Sequence, residues 1–378
     1  MKLETEVAVI GGGLVGISVG YGLALRNVDS MVLDEGDGAI RASRGNFGLV
    51  WVQGKGLAFP AYTGWAMRAV DQWPQFARQL AVETDIDVGL TQNGGLFLCR
   101  TPEEMAQRAK DLFSVKSRFN GPYEFEILDN AATRKLVPET GPDFAGASYS
   151  RYDGQANPLR LLHALHRAYA RHGGRYFADS GVLDIGHIGE KFLLTTAGGQ
   201  VIADRIVLAS GLGNAALGDM LGVAIPVKPV RGQIMVTERV PPMFHLAIEQ
   251  VRQTEDGTLM IGGSWEEVGF DLNTTFEVTR RIADDALSFF PFLRDVRIVR
   301  SWAALRIISP DAAPIYDEVV PGAYLVTCHS GVSLAAIHAF ETAGWIGDGR
   351  IPREMGDFSL KRFNIHSART KSAVSAMS

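Results

Sequence analysis

The sequence predicts a doubly wound α/β unit interrupted by an α+β unit built on antiparallel strands. Three observations predict it: a β-branched strand near Met1 runs through a Gly-rich turn into an apolar helix, similar short buried strands return far downstream, and alternating strand patterns fill the stretch between. At 378 residues the chain is too long for one ordinary core, so two domains sharing an interface are expected.

The elements follow in order. Glu6-Val-Ala-Val-Ile10 reads as a buried parallel strand, Leu14 to Leu25 as the helix behind the turn, and Ser30 to Leu33 as a second strand. From Pro60 to Leu80, Trp65, Ala69, Trp73 and Phe76 recur at helical spacing and mark a core-facing stripe. Past Thr84 the chain turns strand-like through Gly94-Gly95-Leu96-Phe97-Leu98, then helical from Pro102 to Phe119, as a different domain begins. Asp153-Gly154 and Asn157-Pro158 punctuate the chain before a helix over Leu159 to His172. Arg205-Ile-Val-Leu-Ala209 returns to the first sheet. Alternating strands broken by Pro241-Pro242 and Gly262-Gly263 run from Val227 to Ile261, and Trp302 to Ile308 is strand-like. Tyr324 to Val326 is a last buried strand before a turn and a helix over Leu334 to Ala343. The expected division is a discontinuous Rossmann-like domain over 1–85, 150–222 and 310–363, an inserted domain over 86–149 and 223–309, and a small polar tail over 364–378.

Composition narrows the function classes. Hydrophobic residues at 46% and charged residues at 21% are ordinary for a globular chain, and a net charge of -5 gives no electrostatic case for nucleic acid. The two cysteines, Cys99 and Cys328, are too few and too far apart for an iron–sulfur or zinc ligand set, no histidines show metal spacing, and a reducing cytoplasmic setting is expected. Glu4 and Glu6 replace the basic flank of a signal peptide and glycines interrupt the apolar run, so neither an export signal nor a transmembrane helix is expected.

Gly11, Gly13 and Gly16 form G-x-G-x-x-G between the first strand and its helix, with Leu14 and Val15 in the opening turn. Such a turn lets the backbone approach a pyrophosphate, and the helix N-terminus offers it free N–H groups and a partial positive charge. Asp34 closes the second strand eighteen positions after Gly16, followed by Glu35, where a carboxylate accepts from ribose hydroxyls and repels a 2′-phosphate. Alone, the fingerprint leaves FAD, NAD and a bare packing turn open.

Taken in order, the motifs resemble the superfamily of FAD-dependent D-amino-acid, glycine and sarcosine oxidases. Beyond the fingerprint these are Ser43-Arg44-Gly45-Asn46-Phe47-Gly48, Gly154-Gln155-Ala156-Asn157-Pro158, Ala209-Ser210-Gly211 and Pro229-Val-Arg-Gly-Gln233. Further on come Ile261-Gly-Gly-Ser264, Trp302-Ala-Ala-Leu-Arg306 with Pro310-Asp311, and His329-Ser-Gly-Val-Ser333. The resemblance implies an FAD site that includes Ser43, Arg44, Asn46, Phe47, Gly48, Val182, Ser210 and Gly211. It also places Ala304 where monomeric sarcosine oxidases carry a tethering cysteine, so the FAD is expected to be non-covalent. Ser330, Gly331, Val332 and Ser333, ahead of a helix, suit the flavin end where negative charge gathers on reduction.

Arg306, flanked by Leu305, Ile307 and Ile308, is costly to bury unless it meets an anion. The resemblance makes that anion the substrate carboxylate; an ion pair with Asp311 or Asp317 is the structural alternative. Hydride transfer from the α-carbon to flavin N5 then needs orientation and a deprotonated amine rather than a dedicated base. His329, titrating near neutrality, is a candidate to tune the flavin or the amine. Cys328, where the family commonly has glycine, reads as a small buried hydrophobe.

The tract Gly45 to Gly56, with Trp51, Gln53 and Lys55, resembles β-subunits of opine oxidases and D-hydroxyproline dehydrogenases, although Lys55 also reads as a solvated loop lysine. This implies oxidation of an amino acid or N-substituted amino acid to an imine, then hydrolysis, in a hetero-oligomer whose iron–sulfur cluster sits on partner subunits and which is cytoplasmic or peripheral at the inner membrane. A stand-alone amino-acid oxidase, a 2-hydroxyacid dehydrogenase and a non-catalytic FAD-binding subunit remain as alternatives.

Overall fold

A computed structural model describes residues 2–36 and 41–363; the expected tail over 364–378 lies outside the described residues. The large sheet runs, edge to edge, Ile315–Val320, Ala323–Thr327, Gly199–Leu208, Lys2–Ile10, Ser30–Leu33 and Arg175–Phe177. All its neighbours are parallel except the Ile315–Val320 edge. The antiparallel hairpin Val182–Ile188 and Lys191–Thr196 joins the lower half of Gly199–Leu208. Along Lys2–Ile10, Val7 and Val9 enter one core while Ala8 and Ile10 enter the other, as the two-residue period of a strand buried on both faces requires. The first core also takes Ile17 and Leu23 of helix Leu14–Leu25, Trp65 and Trp73 of helix Ala61–Thr84, and Leu161 and Leu165 of helix Pro158–Arg171.

Capping explains several boundaries. Asn157 accepts from the N–H groups of Leu159 and Arg160, both at 3.1 Å, with Pro158 in the first turn. Thr101 accepts from Glu104 N at 3.2 Å, Glu103 and Glu104 fill the first turn and Lys116 and Arg118 the last, so helix Pro102–Arg118 is set against its own dipole at both ends. Helix Ala61–Thr84 runs one turn beyond the expected Leu80, until Asp85 at φ 57 ends it.

Two smaller sheets have four strands each. One is antiparallel, in the order Val251–Gln253, Thr258–Gly262, Lys228–Arg239, Ile298–Ile308. The other runs Ala247–Ile248, Gly95–Cys99, Gly146–Ser150, Glu126–Asp129, and it departs from the expected antiparallel pattern at one pair, Ala247–Ile248 on Gly95–Leu96, which is parallel. A third core with Leu96, Ile248, Leu259 and Phe289 lies between them.

The helix expected over Leu334 to Ala343 is not one regular helix. It begins at Ala335, passes through a π-helical turn at His338–Thr342 and resumes over Ala343–Gly347. The cause is competition for carbonyls: the guanidinium of Arg26 takes Ala339 O at 3.2 Å and also Phe340 O. No helix among the described residues is long and apolar enough to cross a membrane.

Candidate active site

The first site feature is the turn after Ile10. Gly11 has φ 110, and a Cβ there would lie 2.6 Å from Ala209 O, while one on Gly16 would lie 1.9 Å from Gly11 O; only glycine closes this turn. Gly12 N donates to Asp34 Oδ2 at 2.6 Å, Gly36 N to Asp34 Oδ1 at 2.9 Å, and Leu14 N to Ser43 Oγ at 2.9 Å. Each Asp34 oxygen keeps accepting capacity for a hydroxyl donor. Helix Leu14–Leu25 has Gly13 at its N-cap and no side-chain cap, which leaves first-turn N–H groups for an anion. These residues fit the pyrophosphate and ribose of a dinucleotide such as FAD.

Of the other expected cofactor residues, Gly331 and Ser210 adjoin this cradle. A Cβ on Gly331 would meet Leu14 and Val15 at 3.7 Å, so the Ser330–Ser333 turn abuts the fingerprint helix. Ser210 Oγ donates to Ile10 O at 2.9 Å, and Gly211 packs against Ile307 beside Arg306. Asn46 Oδ1 accepts from Gly48 N at 2.8 Å, which shapes the loop that Phe47 carries into the cavity. Val182 opens its strand next to Gly181, which packs on Glu35; the Glu35 side chain is exposed and pairs with Arg41. Arg44 lines a separate groove with His163, His166 and Tyr176.

A cavity of about 360 Å³ lies between the Ser330–Ser333 turn, which abuts the cradle, and the two smaller sheets. Its lining includes Asn46, Phe47, Phe97, Trp265, Arg306 and His329. Arg306 stands on strand Ile298–Ile308, donates from Nη1 to Ser264 O at 2.8 Å, and has its guanidinium 5.6 Å from the Trp265 ring. The ion pair with Asp311 or Asp317 is not formed: Asp311 accepts from Arg362 Nε at 2.8 Å, and Asp317 from Ser359 Oγ at 2.6 Å. The strand's own neighbour makes the room, because a Cβ on Gly232 would fall 2.3 Å from Arg306 Nη1.

Two expectations are corrected here. Burial first, then the cations Lys55 and Arg306, push the His329 imidazole down to about 3, so it is neutral in the working range rather than titrating near pH 7. Lys55 is no solvated lysine: it lines the cavity and donates from Nζ to Ser330 Oγ at 2.8 Å. Burial lowers its ammonium from the ordinary lysine value, opposed by Cys328, Asp153 and Glu249.

Arg108 and Glu249 also line the cavity, and no motif or spacing in the chain pointed to either. Arg108 rises from helix Pro102–Arg118 over the Phe97 ring at 4.1 Å, donating from Nε to Ser148 Oγ at 3.0 Å and from Nη2 to Gln53 Oε1 at 3.2 Å. Gln53 is fixed by Asp153, to which it donates at 2.7 Å; burial pushes that carboxyl up to about 7, against hydrogen bonds from Val52 N and Gln53. Glu249 is raised by burial and pulled back by Arg108, Arg306 and Lys55 in that order. Ala304, in the cavity wall, offers no nucleophile to a flavin, and burial pushes the Cys328 thiol up to about 12. Among the described residues no three His, Cys, Asp or Glu side chains are placed to hold a metal ion.

A Gly-rich dinucleotide cradle beside an arginine-walled cavity defines a flavin-dependent oxidoreductase. The chain belongs to the DAO family of FAD dependent oxidoreductases, whose model matches residues 6–345, and FAD is its cofactor. Among curated relatives it is 40% identical to a subunit of the opine oxidase of Rhizobium meliloti, over 97% of this chain and 99% of that one. It is 25% identical to glycine oxidase of Geobacillus kaustophilus, over 96% of this chain and 98% of that one. The crystal structure of that glycine oxidase superposes with a TM-score of 0.86 over 95% of this chain and 98% of the other at 24% identity, and that of L-proline dehydrogenase from P. horikoshii with 0.83 over 96% and 98% at 21%. These two structures show the shared fold.

Proposed function

We propose that this chain is the flavin-bearing catalytic subunit of a complex of the opine-oxidase type, oxidising the C–N bond of an N-substituted amino acid to an imine that water hydrolyses. The observation that carries the reading is Arg306, a mostly buried guanidinium with no carboxylate among the described residues hydrogen-bonded to it, in a cavity that reaches the Ser330–Ser333 turn. A guanidinium so placed takes a substrate carboxylate in a bidentate pair and fixes the α-carbon beside the flavin seat. Bound FAD supplies the hydride acceptor at its N5. His329, held neutral, leaves a ring nitrogen to accept a hydrogen bond from the substrate amine, while the cations that depress it, Lys55 and Arg306, also disfavour the ammonium and so favour the free amine that the reaction needs. Ser330 to Ser333, abutting the first helix, offer N–H groups to the flavin's electron-rich end.

The curated opine oxidase relative is one subunit of its enzyme, which supports a multi-subunit assembly here. With two buried cysteines far apart in sequence, the reading assigns any iron–sulfur cluster to partner subunits, in a complex that is cytoplasmic or peripheral at the inner membrane. It also assigns residues 1–85, 150–222 and 310–363 to the FAD-binding domain and 86–149 and 223–309 to the substrate domain. The test is an anaerobic screen of the purified FAD-loaded protein with matched secondary amines and 2-hydroxy acids. Bleaching of the flavin by amines alone supports the reading. Bleaching by hydroxy acids alone, or by neither, overturns it.

A further inference from the structure

An amino acid reaches the cavity as its ammonium, and hydride can leave the α-carbon only once that nitrogen has lost a proton. The titratable side chains lining the cavity are Lys55, Arg108, Glu249, Arg306 and His329. The two arginines keep their protons at any working pH, Lys55 is engaged by Ser330 Oγ at 2.8 Å, and His329, pushed down to about 3, does not hold a proton near neutrality. Glu249 is left.

Its position follows from strand pairing. Ala247–Ile248 lies parallel on Gly95–Leu96, and Glu249 N donates to Leu96 O at 3.0 Å. Ile248 is buried in the third core, so the alternation of a strand turns Glu249 to the opposite side, where it lines the cavity. Gln250 locks the register by accepting from Leu98 N at 3.3 Å and donating to Leu98 O at 2.9 Å. Among the described residues the Glu249 carboxylate receives no hydrogen bond and forms no ion pair, although Arg108, Arg306 and Lys55 all act on it. Asp153 is no rival, because it accepts from Val52 N at 2.6 Å and Gln53 Nε2 at 2.7 Å and does not line the cavity. Burial raises the Glu249 carboxyl above its ordinary value against the pull of the three cations, which makes it a stronger base than an exposed glutamate. An ammonium beside a carboxylate is two desolvated charges, and proton transfer between them leaves none.

We infer that Glu249 is the proton acceptor for the substrate ammonium. An O–H bond forms on its carboxylate, the N–H bond breaks, and the N–H electron pair stays on nitrogen. That pair becomes the second C–N bond as the α-hydrogen leaves with its own two electrons for flavin N5, so the substrate loses two electrons and the flavin gains two. The proton on Glu249 passes to water as the product leaves. This rests on the amine-oxidation reading, but the proton on Glu249 is measurable without turnover.

Methoxyacetate, an ether with one carboxylate and no nitrogen, is titrated into the FAD-loaded protein from about pH 5 to 9 and followed by the flavin spectrum. Its affinity for the parent should fall about tenfold as Glu249 loses its proton and two anions come to share the cavity, and should stay level in Glu249→Gln. Octopine, a secondary-amine amino acid, is then mixed anaerobically with both proteins. At pH ~7 the flavin of Glu249→Gln should be reduced about 100-fold more slowly than that of the parent, recovering about tenfold per pH unit above that as solution supplies the free amine. Glu249→Asp should keep part of the rate, and a fold defect would not be rescued by pH. A methoxyacetate limb that survives in Glu249→Gln belongs to Asp153, pushed up to about 7, and overturns the inference, as does the lack of any limb in the parent. Reduction of Glu249→Gln within about threefold of the parent at pH ~7, or a slow rate that higher pH does not restore, overturns it too. If the limb depends on Glu249 while octopine leaves the parent's flavin oxidised, the proton seat stands and the amine reading falls.

Discussion

Gly232→Ala isolates the role of Arg306 without touching any charged residue. An alanine Cβ would sit 2.3 Å from Arg306 Nη1, 2.5 Å from Cζ and 2.6 Å from Nη2. Ordinary contact distances are about 3.5 Å, so the guanidinium must retreat by about 1 Å. The intruded atoms are the far end of a long side chain, so the strand stays in place while the bond to Ser264 O is lost or lengthened. Misplacing a substrate clamp by about 1 Å costs on the order of 100-fold. Overpacking at such a site costs about 1 kcal/mol, a melting shift of about 2 °C in a chain this large. Steady-state kcat/KM with the amine substrate, beside a thermal melt of the same preparation, reads both. A variant with kcat/KM within about threefold of the parent would refute Arg306 as the carboxylate clamp.

Further outcomes follow from the same geometry. Asp34→Ala, which frees Gly12 N and removes the ribose acceptor, should weaken FAD binding by about 10- to 100-fold in an equilibrium titration of the apoprotein; unchanged affinity would remove Asp34 from the cofactor site. Because the His329 imidazole is depressed to about 3, the kcat/KM profile should have no limb between about pH 5 and 8 that vanishes in His329→Gln. A limb lost in that variant would mean the imidazole titrates after all. His338, buried against Tyr316 at 2.9 Å, is also pushed down to about 3 by burial. Its unfolded form binds a proton below about 6.5 while the folded form does not, so stability falls as pH drops through that window. The loss is about 3 kcal/mol at pH ~4, and the melting temperature of His338→Gln should fall less steeply over the same range.

Much of the fold was legible because its signals are local. The β-branched strand, the glycines that only a tight turn requires and the Asn157-Pro158 cap each specify their element within a few residues. The site was legible where a residue is conspicuous in its own segment, as Arg306 is among aliphatics. Lys55 was misread because a loop lysine carries no sign of whether it turns in or out; that is decided by Ser330, 275 positions away. Arg108 and Glu249 were invisible for the same reason. One sits on a helix whose other charges, Asp111 apart, are exposed, the other follows a two-residue strand, and only the packing of two sheets brings them into one cavity. The π-helical turn was equally hidden, since it depends on Arg26 from the first helix's C-cap.

Oxidation of a secondary amine at this flavin is tested most directly by one anaerobic titration, in which the FAD-loaded protein is mixed with a single equivalent of an N-substituted amino acid. The predicted result is stoichiometric loss of the oxidised flavin's visible absorbance and release of one equivalent of 2-oxo acid and one of primary amine. Flavin that stays oxidised, or is reduced without any carbonyl product, would contradict it.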